Sequence, residues 1–115
     1  MVMKKENSLK KEQDFQKVIK SKKSVGCKSF VIYYLKNEFD YARIGISAGK
    51  RIGNAVIRNR TKRQVRALID ATFDKNLSRD YIVVVRNKFL EQNYENNLKD
   101  IKYLLEKINK RLKEK

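Results

Sequence analysis

The segment from Asn54 to Phe73 restricts the fold more than any other part of the chain. Projected at about 100° per residue, Ile57, Thr61, Val65, Leu68, Ile69 and Thr72 share one face of a helix. Arg58, Asn59, Arg60, Lys62, Arg63 and Arg66 spread over the rest, so the cations leave the apolar stripe intact. Such a helix must lie on a core along one side and present a free surface that is cationic or polar throughout. The one-signed charge reaches beyond it: eight Lys or Arg side chains fall from Arg43 to Arg66, and no acid occurs between Asp40 and Asp70. Surface helices ordinarily mix signs, because i,i+4 acid–base pairs stabilise them and like charges repel. An uncompensated run costs self-repulsion unless a polyanion cancels it, which points to nucleic acid.

The flanking segments supply the core. Residues 1–10 are polar and basic and read as a mobile arm. From Lys11 to Lys20, Phe15, Val18 and Ile19 recur at helical spacing and predict a short amphipathic helix. SKKSVGCKS is turn-rich. Phe30–Leu35 (FVIYYL) reads as a well-buried strand, NEFD as a turn, and Tyr41–Ala48 as the antiparallel return strand. Gly49 and Gly53 flank a basic loop before the helix. Tyr81–Val85 (YIVVV) is another buried strand, and Tyr94, Leu98, Ile101, Leu105, Ile108 and Leu112 repeat through a long C-terminal helix. The order α-β-β-α-β-α, with room for a further short strand, predicts a single α+β RNA-binding domain over residues 1–115. By the general rule the β-α-β unit from Tyr41 to Val85 is right-handed.

Charge and composition then exclude whole classes of function. The 115 residues carry 29 Lys and Arg against 13 acids, a formal charge of +16. Binding to a polyphosphate should therefore weaken steeply as salt rises, although a basic membrane-surface protein would share the composition. With one cysteine, Cys27, and no histidine, a zinc site and a Cys–His or Ser–His pair are out of reach. Cys27 itself reads as a small apolar filler. No stretch approaches the roughly 20 apolar residues of a membrane span. MVMKKENSLKK carries charge but no apolar region of a secretory signal, so a cytoplasmic protein is expected. GISAGK (residues 45–50) is one residue short of a Walker A loop and has Arg51 in place of the hydroxyl. Its glycines instead suit tight turns or a close backbone approach. Acids are absent from the basic region and no general base is evident, so no catalytic or metal-ligating residue is assigned to the protein.

Phe15, Ile19, Phe30, Tyr33 and Tyr34 form the aromatic–aliphatic set. Taken singly, each is explained by core packing. A strand alternates its faces, however, and cannot bury both Tyr33 and Tyr34 on one side. One of these rings, beside Phe15, would lie on an open sheet face where single-stranded RNA bases can stack. Alternation alone leaves open which tyrosine it is.

GISAGKRIGNAVIRNRTKRQVR resembles the RNR-motif region of the bacterial ribonuclease P protein subunit, with G-N-A-V-x-R-N-R-x-K-R intact from Gly53 to Arg63. Asp14-Phe15-Gln16-Lys17-Val18, Phe30-Val31-x-Tyr33 and Asp80-Tyr81-Ile82-Val83 followed by Arg86 are similar to that family's first helix and strands, in the same order. The resemblance implies a two-layer α/β sandwich like domain 2 of ribosomal protein S5, with a left-handed β-α-β crossover contrary to the default. It implies two partners, the catalytic RNA of ribonuclease P and precursor tRNA, with no membrane and no required protein partner. In that ribonucleoprotein the RNA, with Mg²⁺ bound mainly to it, hydrolyses the precursor to form the mature 5′ end. Lys50, Arg51, Asn54, Arg58, Asn59, Arg60, Lys62 and Arg63 match the motif that faces the catalytic RNA, and Arg66 continues it. Phe15 and Tyr33 match aromatic positions along the cleft for the 5′ leader, which favours Tyr33 over Tyr34. Ile19 stands where many relatives carry Phe. Arg86 and Lys88 complete the leader set, in a segment reading NKF where relatives often have a proline-containing turn. Two rival readings share the size and charge: a structural ribosomal protein, and a nuclease that acts without RNA.

Overall fold

Two apolar strands, Phe30–Lys36 and Arg79–Val85, pair antiparallel along their whole length and form the spine of the molecule. The computed structural model describes residues 4–112. In chain order the elements are α1 (Glu12–Lys20), β1 (Ser24–Gly26), β2 (Phe30–Lys36), β3 (Arg43–Ser47), α2 (Ala55–Thr72), β4 (Arg79–Val85), α3 (Lys88–Glu91) and α4 (Tyr94–Leu112). Short 3-10 turns occupy Lys5–Asn7 and Lys50–Ile52. The sheet order is β1-β2-β4-β3. The short strand β1 lies in the turn-rich segment and sets Val25 opposite Ile32.

Alternation sorts the two tyrosines. Phe30, Ile32 and Tyr34 of β2 join Tyr81 and Val83 of β4 in the main core, beneath Val65, Leu68 and Ile69 of α2 and Ile101, Leu104 and Ile108 of α4. On the opposite face, Ile82 packs with Val18 of α1 and with Leu9, and half-buried Phe15, Ile19, Tyr33, Leu35 and Val84 surround them. Tyr33 is therefore the ring on the thinly covered face, and Tyr34 belongs to the main core.

Two expectations are corrected. First, β3 is not the antiparallel return of β2. It runs parallel to β4, with Ile44 opposite Tyr81 and Ile46 opposite Val83, and β4 separates it from β2. The reason is burial. Tyr81, Ile82 and Val83 are each at most 1% exposed, and consecutive residues point to opposite faces, so β4 needs cover on both. A central position gives that cover, and α2 provides the long connection that a parallel neighbour requires.

Second, the expected arm over residues 1–10 is tethered from Asn7 to Leu9. The Asn7 side chain donates to Ala42 O at 2.7 Å, Leu9 N donates to Ile44 O at 3.1 Å, and Ser8 bridges Ile44 in parallel. As an edge strand, β3 offers unpaired backbone groups, and these residues take them up. Residues 1–3 lie outside the described residues.

Helix α1 is held to the sheet by charge at one end and close packing along its length. Arg43 donates from Nε and Nη2 to the Asp80 carboxylate at 2.8 and 2.6 Å, and from Nη1 to Asp14 of α1 at 3.1 Å. The hydrogen bond to Asp80 raises the Arg43 pKa, against desolvation, which lowers it. Gly45 of β3 allows the close approach: a Cβ there would stand 2.6 Å from Phe15 Cε2 and 3.2 Å from Leu9 O. Gly45→Ala should destabilise the fold by about 1–3 kcal/mol through overpacking. Urea denaturation would read this as a lower midpoint with an unchanged slope.

Candidate nucleic-acid interface

The start of α2 is set by two adjacent residues. Gly53 has φ 151°, in the positive region that favours glycine, and it ends the Lys50–Ile52 turn. Asn54 then caps the helix, its Oδ1 accepting from Ile57 N at 3.0 Å. The Asn54 side-chain oxygen thus serves the helix, and its amide nitrogen remains for the RNA contact expected of this residue. Along α2, Thr61, Val65, Leu68 and Ile69 are buried and Ile57 and Thr72 half-buried, so the predicted stripe is the buried one.

None of the seven cations from Lys50 to Arg66 forms a side-chain hydrogen bond or ion pair among the described residues. Cations elsewhere do: Lys75 meets Asp70 at 3.2 Å and Lys110 meets Glu106 at 3.9 Å. Lys50 and Arg51 stand exposed in the turn before α2, and Asn59, Arg60, Arg63 and Arg66 stand exposed on it. Arg58 is half-buried, with its Nε lacking a hydrogen-bond partner. Lys62 and Arg66 flank the edge of β3 beside Lys10 and Phe15, whereas Arg60 points to the α3–α4 side.

The fold brings the two predicted sets together. A cleft of about 520 Å³ has Lys50 and Arg51 on one wall and Arg86 and Lys88 on another, over Ser47 and Val84. Lys28, from the β1–β2 turn, adds a fifth cation that the sequence reading missed. It lies among Lys20, Lys22 and Lys23, so composition alone does not single it out. Arg86 links this turn to the end of β4: its Nη1 donates to Cys27 O at 3.1 Å and its backbone N to Ser29 O at 2.9 Å. Lys88 meets Glu91 at 3.3 Å, an exposed pair worth about 0–1 kcal/mol that a phosphate can displace. Val84 both lines the cleft and packs against the Leu9–Val18–Ile82 cluster that Phe15, Ile19 and Tyr33 also cover, so the basic cleft adjoins the ring-bearing face.

Such a surface can hold a phosphate backbone and stack bases. No carboxylate lines the cleft among the described residues. Among the described residues, no three His, Cys, Asp or Glu side chains gather into a metal-ligand set. No helix among them is long and apolar enough to cross a membrane.

Comparison with known proteins agrees with the geometry. The family model for ribonuclease P matches residues 3–109. The chain is 45% identical over 94 residues to the ribonuclease P protein component of Mycoplasma capricolum, a match covering 80% of this chain and 86% of that protein. It is 43% identical over 112 residues to the same component from Streptococcus pyogenes serotype M5, covering 91% and 93%. The structure of the Staphylococcus aureus RNase P protein superposes with a TM-score of 0.77 at 34% identity, covering 87% of this chain and 93% of that one.

The cap at Asn54 is separable from any RNA contact. Asn54→Ala should cost about 1 kcal/mol of stability, and Asn54→Asp should retain most of it because aspartate also caps. Thermal melts of the free protein check this.

Proposed function

The chain belongs to the ribonuclease P family, the protein component of the ribonucleoprotein endoribonuclease that matures tRNA 5′ ends, and we propose that it works there by lending charge and a leader groove to a catalytic RNA. One observation carries this reading: seven consecutive cations of the turn and helix from Lys50 to Arg66 have no acidic partner among the described residues. In this proposal Lys50, Arg51, Arg58, Arg60, Lys62, Arg63 and Arg66, with the amides of Asn54 and Asn59, face the catalytic RNA. Arginine forks match phosphate oxygens two at a time, and lysines add point charge.

The precursor's 5′ leader runs along the opposite sheet face. Phe15, Ile19 and Tyr33 supply the apolar floor, and Lys28, Arg86 and Lys88 meet its phosphates. Supporting this path is Val84, which lines the cleft and packs against the same cluster that Tyr33 covers. Holding the leader favours precursor over mature tRNA, because only the precursor has that strand. Screening phosphate repulsion lowers the Mg²⁺ concentration that the RNA needs to fold and bind substrate. The reaction's Mg²⁺ is assigned to the RNA. The carboxylates of Asp14 and Asp80 do not fit it, being already engaged by Arg43. Action in the cytoplasm belongs to the same proposal.

Adding the protein to the catalytic RNA and precursor tRNA at low Mg²⁺ should raise 5′ cleavage well above that of RNA alone, and no gain would contradict the proposal. Replacing Arg60 and Arg63 by Ala should weaken RNA binding and reduce its salt slope by about one unit per lost phosphate contact. Tyr33→Ala should lower precursor affinity by about 1–3 kcal/mol if the ring stacks on a leader base, with mature tRNA unaffected.

A further inference from the structure

One turn of helix, α3, separates the cationic cleft from a second concavity. Lys88 lines the cleft, while Phe89 and Leu90 line a groove of about 370 Å³ between α2 and the start of α4. Buried Leu68 and Phe89 floor it, and Leu90 and Tyr94 stand at its rim, 46% and 54% exposed. Single exposed apolar residues need no explanation, but two meeting at one cavity beside Arg60 do.

The other exposed rings have company. Phe39 stacks on Tyr41 at 5.2 Å and lies under the Arg43 guanidinium, and Tyr103 lies under Lys107. The Tyr94 ring has no ring or cation against it among the described residues.

The polar lining is also open. Gln64 of α2 forms no side-chain hydrogen bond among the described residues. Gln92 commits its amide nitrogen to Asn97 Oδ1 at 2.7 Å and Asp100 Oδ2 at 3.0 Å, which leaves its carbonyl oxygen to accept. A donor and acceptors thus sit beside an exposed ring, in a space suited to one planar heterocycle.

We propose that this groove receives one unstacked nucleobase of the RNA bound by α2, its face on the Tyr94 ring and its edge toward Gln64 and Gln92. The inference rests on the functional reading above. Two features favour RNA as the occupant. Arg60 and Gln64 belong to the helix already assigned to RNA, and Arg60 brings a cation without an acidic partner among the described residues to the same groove, as a nucleotide's phosphate requires. A protein partner would need roughly 800 Å² of its surface covered, far more than two rim residues offer.

The test titrates the full-length protein, Tyr94→Ala and Tyr94→Phe with the catalytic RNA over a range of salt concentrations, with sedimentation of each protein alone. Tyr94→Ala should bind about 5- to 150-fold more weakly, the loss of one base–ring stack. Tyr94→Phe should stay close to wild type. All three should share one salt slope, because no phosphate contact is lost, and Tyr94→Ala should keep its preference for precursor over mature tRNA. Equal affinity of Tyr94→Ala and wild type would overturn the inference, as would a Tyr94→Phe protein as weak as Tyr94→Ala. Wild-type self-association abolished by Tyr94→Ala would overturn it in favour of a second protein copy. Wild-type protein without affinity for the RNA would overturn the functional reading, and this inference with it.

Discussion

Strand β4 has no solvent-facing residue in its middle: Tyr81, Ile82 and Val83 are all essentially buried, on alternating faces. That two-sided burial demands a helical layer against one face and cover against the other, and much of the molecule follows from it. Helices α2 and α4 close over Tyr81 and Val83, and α1 with Leu9 closes over Ile82. Because β4 sits between β2 and β3, its end emerges between the β1–β2 turn and the loop before α2. Three distant sources of positive charge, Lys28, Lys50–Arg51 and Arg86–Lys88, therefore meet at one cleft.

The same burial makes the charge on α2 tolerable. Like-charged neighbours at i,i+3 and i,i+4, such as Arg58 with Lys62 and Lys62 with Arg66, cost about 0.2–0.5 kcal/mol each. Val65, Leu68 and Ile69 are buried under this helix and contribute about 1.5–3 kcal/mol each. Packing on one side thus outweighs repulsion on the other. The helix stays formed while its surface keeps the field that attracts a polyanion. Where the molecule does neutralise charge, it does so for structure: Arg43 satisfies Asp80 and Asp14 together and fixes α1 over the sheet.

What could be read without coordinates was local. Helix α2, its buried stripe and its cationic remainder follow from a period of 3.6 residues. The division of Tyr33 from Tyr34 follows from a period of two, although only the packing decides which face is which. The pairing of β3 was misjudged because a short turn suggests a hairpin, and the burial demand of β4, over thirty residues later in the chain, outranks it. The tether at Asn7–Leu9 escaped notice because a polar, basic segment gives no sign that an edge strand awaits it. Lys28 and the Tyr94 groove depend on contacts between remote segments, and no spacing rule records those. The RNR-like motif was specific enough to indicate the family, which the comparisons then established.

The central claim is that α2 carries uncompensated charge because one folded RNA is its counterpart, and not merely any polyanion. Competition at moderate ionic strength tests this directly: labelled catalytic RNA bound to the wild-type protein is challenged with heparin matched in total charge. The RNA should be retained at heparin concentrations well above its own. Displacement at equal charge would contradict the claim.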